Sequence, residues 1–205
     1  LDKKDGEILL LSEYGLDAQP FDTSGKSRVD WKDSTIRKWL NDDFYNSAFS
    51  EKEKENIVES KSEGFEEYNT SMNLTGGGKP YAFLERETED KVFLLSNTEL
   101  CAYFSEDPYP GCYSDPYAHK ELLCYPTAYA KQQLKTRYQT ETCGWWLCNH
   151  VYEDDSVELV SAYGQGSGTS RENIKANTKS IAVRPAMWVT WQSDMEMVEA
   201  NQQVE

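Results

Sequence analysis

The residues with the strongest claim to metal or nucleophilic chemistry in this chain are two histidines and five cysteines. His119 and His150 stand far apart, and neither sits at ligand spacing from a cysteine pair, so a zinc site built from them is not expected. Nothing in the order of serines, histidines and acids points to a hydrolytic triad. The cysteines are Cys101, Cys112, Cys124, Cys143 and Cys148. An odd count leaves at least one unpaired, and the sequence leaves open whether the others are buried thiols or disulfides. Cys143 and Cys148 flank Gly144-Trp145-Trp146-Leu147. On a regular strand, residues five apart face opposite sides, so a bond or metal shared by these two needs a bulge. The expectation is one buried thiol and one exposed.

Two glycine-rich runs fail as phosphate sites. Thr75 to Pro80 (TGGGKP) has Pro80 after Lys79 where a P-loop needs Ser or Thr, and it lacks the feeding strand, while Gly164 to Gly168 (GQGSG) fits neither the dinucleotide fingerprint nor a nucleophile elbow. Both read as surface loops. The acidic run Glu153-Asp154-Asp155 could offer hard oxygen ligands to calcium, but it does not match the EF-hand spacing and reads as a solvated charge run. No cofactor is expected beyond that calcium alternative, and the sequence assigns no metal ligands.

The tyrosines are more informative. Tyr103, Tyr109, Tyr113, Tyr117, Tyr125, Tyr129 and Tyr138, with Phe104, crowd the middle of the chain. Amphipathic rings give large contact area at little entropic cost, as binding surfaces require. Tyr129 falls on an expected helix and is assigned to the core. Tyr109, Tyr113 and Tyr117 fall in a loop with Pro108, Pro110, Gly111 and Pro116, and are assigned to a binding surface.

The elements that must position these residues follow from local pattern. Glu7 to Ser12, Lys91 to Leu95, Trp145 to Cys148, Val157 to Tyr163 and Ile181 to Trp191 read as strands. From Ser34 to Tyr45, the spacing of Ile36, Trp39, Leu40 and Phe44 predicts a helix capped by Asp33 or Ser34. Ser50 with Glu53, and Ser96 with Glu99, are capping boxes opening two more helices, the second through Phe104. A further helix covers Thr127 to Leu134. Strands and helices alternate without a βαβ rhythm, which predicts an α+β fold rather than a doubly wound sheet.

Composition bounds the function. The chain has 205 residues, with 21 Lys and Arg against 36 Asp and Glu, a net charge of −15. That balance excludes the basic footprint of a nucleic-acid binder and disfavours docking on anionic membrane. No apolar run approaches the roughly 20 residues of a membrane-spanning helix, so no membrane insertion is expected. Six Trp, 13 Tyr and seven Phe are the composition of a packed domain, not of a disordered chain. The first residue is Leu1 rather than methionine, which leaves no targeting segment to read. Residues 1–193 are expected to form one domain and 194–205 a polar acidic tail, in a monomer or a part of a larger surface protein.

Five stretches occur in a recognisable order: Ser34-Thr35-Ile36-Arg37-Lys38-Trp39-Leu40-Asn41, Val92-Phe93-Leu94-Leu95-Ser96, Thr127-Ala128-Tyr129-Ala130, Gly144-Trp145-Trp146-Leu147 and Val183-Arg184-Pro185-Ala186-Met187-Trp188. Together they resemble a bacterial family of uncharacterised domains, common in gut Firmicutes and often exported or attached to the cell surface. Cys148 departs from that pattern, standing where arginine is usual. The Trp-Trp-Leu and Val-Arg-Pro pieces also resemble the end of the C-type-lectin-like fold, shared with formylglycine-generating enzymes and the variable proteins of diversity-generating retroelements.

That resemblance implies a small twisted antiparallel sheet, much irregular loop, and a ligand face before the last strand, here residues 149–180. Its candidate contacts are Asn149, His150, Tyr152, Tyr163, Gln165 and Asn173. It implies an extracellular or cell-surface module that binds a glycan or protein ligand without catalysis. The alternatives are a copper-dependent oxidase of formylglycine-generating type, using Cys143 and Cys148 as soft ligands, and a structural spacer domain. Trp39, Trp145, Trp146, Arg184 and Trp188 belong to the core under all three, with Arg184 expected to pair with a carboxylate or cap carbonyls.

Overall fold

The structure is a computed structural model that describes residues 1–26, 28–61, 88–104, 120–134, 141–150, 156–165 and 174–191, without the side chains of Thr98, Cys101 and His150. It is an α+β fold built on small sheets.

The main sheet joins the two ends of the described chain. Strands β1 (Asp2–Lys4), β2 (Glu7–Leu11), β8 (Ala186–Thr190) and β4 (Ile57–Val58) lie in the order β1-β2-β8-β4, all antiparallel. Asp5 and Gly6, at φ 50° and 84°, turn β1 into β2, because a tight hairpin whose twist matches its strands needs positive φ at both central residues. Leu9 pairs with Trp188 and is buried, while Leu10 faces outward, the alternation of a sheet with one wet face.

The second layer centres on β6 (Trp145–His150), paired antiparallel with β7 (Val157–Val160). Trp145, Trp146 and Leu147 are fully buried. Each indole N–H finds a carbonyl, Trp145 at Leu122 O (3.1 Å) and Trp146 at Gln19 O (2.9 Å). Phe21 meets Trp146 edge-on at 6.1 Å between ring centroids. A third pairing joins β3 (Tyr14–Gly15) to β5 (Tyr125–Pro126) in parallel.

The helices are short. Ser34 caps α1 (Thr35–Trp39) by accepting from Arg37 N at 3.2 Å. The chain then widens into a π-helical turn at Leu40–Phe44 before α2 (Tyr45–Ala48). Both capping boxes form. Ser50 and Glu53 open α3 (Glu51–Lys54), and Ser96 and Glu99 open α4 (Asn97–Phe104). Thr127 caps α5 (Ala128–Gln133).

Lys91 to Leu95 departs from expectation. Val92 to Leu95 are fully buried, yet the run is no strand and makes one bridge, Phe93 to Ala186. Its other backbone groups go elsewhere. The Asn41 amide accepts from Lys91 N and Val92 N and donates to Val92 O, and Cys148 N donates to Leu95 O. Buried peptide groups must be paired, but a side chain can replace a neighbouring strand. The run thus stitches the two layers together. Two predicted strands are also shorter than expected. β7 ends at Val160, where the chain turns at Ser161 to Gly164, and before β8 Ala182 and Val183 make only single bridges, to Trp145 and Asp17.

Candidate functional site

Six tyrosines have described side chains, and four of them are exposed: Tyr14 (43%), Tyr125 (47%), Tyr129 (58%) and Tyr163 (58%). A chain of hydrogen bonds links the segments that carry these four. Tyr14 and Tyr125 are direct partners in the parallel β3–β5 bridge. Thr127 N donates to Gly15 O at 2.9 Å and its side chain caps α5, which carries Tyr129. On the other side of Tyr125, Cys124 O accepts from Cys143 N at 2.8 Å. Next to Cys143, Thr142 Oγ1 donates to Ala162 O at 2.6 Å, and Tyr163 follows. Ser161 O accepts from Gly164 N at 3.0 Å and Ser161 N donates to Gln165 O at 2.8 Å, so Tyr163 rides on a closed turn completed by Gly164 at φ 75°.

Among the sequence-assigned contacts, Tyr163 and Gln165 share this turn. Tyr129 reverses its assignment. It sits on a two-turn helix whose core-facing residue is Ala130, and its ring is in solvent. Tyr14 is an addition, since nothing local marks a tyrosine at the end of a charged stretch as part of a surface that is assembled from distant segments. Tyr109, Tyr113, Tyr117, Tyr152 and Asn173 lie outside the described residues, as do Glu153-Asp154-Asp155, His119 and the Thr75 to Pro80 run. His150 has only its backbone described, pairing with Val157.

Asn149 lies at the far end of β6 and is buried. Its Oδ1 accepts from Asn97 N at 2.7 Å, and Asn97 Nδ2 donates to Glu158 Oε2 at 2.8 Å. With Ser96 and Glu99 this makes a buried polar cluster that ties the start of α4 to β6 and β7. Asn149 is a brace in that cluster. Sequence reasoning had no signal for Asn97 or Glu158, because a buried amide and carboxylate look like surface residues until the fold brings them together.

The cysteines divide between the two ends of β6. Cys143 and Cys148 are both buried, at 2% and 3% exposure, against the expectation of one buried and one exposed. The reason is that β6 is covered on both faces. They do not share surroundings. Cys143 Sγ lies 3.5 Å from Cys124 O, and Cys148 Sγ 3.7 Å from Asn149 Oδ1. The ladder of β6 and β7 shifts register between Trp146 and His150, and no group of three or more metal-ligating side chains occurs among the described residues.

The five motifs that carry the resemblance are seams of the fold. Ser34 caps, Ile36 and Leu40 fill the core, and Asn41 clamps the 91–92 backbone. Arg37 Nε meets the buried Asp90 carboxylate at 2.6 Å, which also takes the Trp31 indole N–H at 2.8 Å. Arg184 Nε caps Ser12 O at 2.8 Å, and its guanidinium lies 5.0 Å over Trp145. The chain belongs to the family described as a domain of unknown function (DUF6273), whose pattern matches residues 5–191. No curated protein and no solved structure matches it.

Proposed function

We propose that this domain is a non-catalytic binding module, exported or held at a cell surface, that recognises a glycan through its exposed tyrosines. One observation carries the reading. Tyr14, Tyr125, Tyr129 and Tyr163 come from three separate segments that hydrogen bonds link together, and all four are exposed. A domain that needs tyrosines only for packing has no reason to hold so many in water. Tyrosine faces stack on sugar rings, and the phenol supplies a hydrogen bond at the edge. The strands and the capped helix beneath them fix the backbone, so little ordering entropy opposes binding.

The C-type-lectin-like resemblance supports the same reading, as does the net charge of −15, which keeps an exported domain soluble. A glycan array, repeated with Tyr14→Ala, Tyr125→Ala and Tyr163→Ala, tests it. Each ring should contribute about fivefold to tenfold in affinity, with the melting temperature unchanged because the rings pack on little. Binding to a protein in a surface pull-down, lost in the same variants, would replace the glycan by a protein ligand. Silence in both, from a folded domain, would refute the proposal and leave a structural spacer.

A further inference from the structure

The main sheet is apolar on both faces. On one face Leu9, Leu11, Ala186 and Trp188 lie in the core or against it. The register sets Ile8 opposite Val189 and Leu10 opposite Met187, so these four point to the other face. Trp191, whose N–H donates to Gly6 O at 2.6 Å, continues their row two residues beyond Val189. Among the described residues, none of the five belongs to the core or packs against it. Leu10 is 41% exposed, and Ile8, Met187 and Trp191 are half-buried. The outer face of an antiparallel sheet is ordinarily polar, and a contiguous apolar patch there marks a docking surface. Lys3, opposite Ile8, brings a cation to this face, with its ammonium 5.3 Å over the Trp191 ring.

The size of the face limits what covers it. Five residues of strand are about 17 Å long, and β1, β2 and β8 side by side about 14 Å wide, or roughly 250 Å². A stable dimer needs about 800 Å² from each partner, so the face is too small for a second copy. It suits one helix, about 10 Å across.

The chain has such a segment beside it. Residues 192–205 lie outside the described residues and follow directly from Trp191 on this face. Their sequence is QSDMEMVEANQQVE. Ser193 with Glu196 has the spacing of a capping box. Residues 194–205, at 1.5 Å each, would make about 18 Å of helix, which matches the length of β8. Met197, Ala200 and Val204 fall on one stripe at helical spacing. Asp194, Glu196, Glu199 and Glu205 are acidic, and the segment has no lysine or arginine, so its charge complements Lys3. Gln192 and Ser193 form a connection as short as those by which helices turn back over the strand they follow.

We propose that residues 194–205 form an amphipathic helix that folds back over the outer face of the main sheet, seating Met197 and Val204 on Leu10, Met187 and Val189. Removal of that apolar row from water drives the docking, and Lys3 sets the side on which the acidic flank lies. The proposal stands whatever the tyrosines bind.

The test is hydrogen exchange of the full chain, read by mass spectrometry at low and high protein concentration, for the wild type, Leu10→Glu and Met197→Glu. Leu10 is exposed and Met197 lies beyond the family pattern, so the domain should stay folded in both, as unchanged exchange in β6 would verify. If Leu10→Glu loosens β6, Met197→Glu decides alone. The amides of 197–204 should exchange at least about tenfold more slowly in the wild type than in either variant, at both concentrations. Equally rapid exchange of 197–204 in all three proteins would overturn the proposal. Slow exchange that survives both substitutions would do the same, by placing the segment elsewhere. Protection that arises only at high concentration would assign the face to a second copy and overturn it as well.

Discussion

Gly15→Ala tests the close packing beneath the tyrosine surface. The added Cβ would sit 2.8 Å from Ala182 Cβ, 3.2 Å from Cys143 Sγ and 3.4 Å from Cys124 Sγ. Real Cβ atoms do not approach another carbon that closely, so something must move. Neither carbon is the end of a flexible side chain. Gly15 O is held by Thr127 N at 2.9 Å, and Leu16 N by Val183 O at 2.9 Å. Ala182 N is held by Gly144 O at 2.8 Å, and Ala182 O by Trp146 N at 3.1 Å. Relief therefore requires a backbone shift in one of two pinned segments, and overpacking of that kind costs about 1–3 kcal/mol. With both sides pinned the upper end applies, about 3 kcal/mol, or a fall in melting temperature of about 6–12 °C for a chain of this length. The assay is urea and thermal unfolding of the wild type, Gly15→Ala, Ala182→Gly and the double variant. If the clash with Ala182 is the cause, the double variant recovers part of the loss, with a favourable coupling of at least about 1 kcal/mol. A Gly15→Ala protein that melts with the wild type, or a double variant as unstable as the sum of the singles, would refute the reasoning.

Asp90→Ala leaves the Trp31 indole N–H and the Arg37 guanidinium without their shared acceptor. Because Arg37 retains 25% exposure, the loss should fall toward the low end of the 3–5 kcal/mol range for a broken buried pair, about 3 kcal/mol in urea unfolding, with Asp90→Asn less severe. Arg184→Ala removes the cap on Ser12 O and the cation over Trp145, and should unfold the domain; an unchanged melting temperature would refute its structural role. Burial raises the Asp22 carboxyl, but hydrogen bonds from Ser24 and from Thr35 N outweigh it and leave its pKa below 3.8. A lowered folded-state value means stability that is present above the unfolded value and lost as pH falls through the folded one. Asp22→Asn should therefore flatten the decline of melting temperature below about pH 4, and a decline as steep as the wild type's would contradict that.

The helix starts were legible in the sequence because capping acts within three residues. Ser50 with Glu53 and Ser96 with Glu99 form as their spacing predicts, and the helix expected from Thr127 begins with Thr127 as its cap. The Asp5-Gly6 turn is equally local, and it marks a hairpin that the run at Glu7 to Ser12 does not reveal by itself. Lys91 to Leu95 shows the limit. Its hydrophobicity correctly predicts burial, but whether a buried run is a strand depends on what takes its hydrogen bonds, and here that is Asn41, Ala186 and Cys148. Tyr129 shows it from the other side, since six helical residues do not specify which face will be covered.

The sequence alone determined an acidic α+β domain with a tryptophan core, where its helices begin, and which residue types were available for binding. These follow from composition and from interactions between near neighbours. Only the tertiary structure decided that Tyr14 stands beside Tyr125, that Cys143 pairs its backbone with Cys124, and that Arg184 lies over Trp145. Each of those pairings spans a long stretch of chain, and its energy comes from burial and hydrogen bonding, which no spacing rule records.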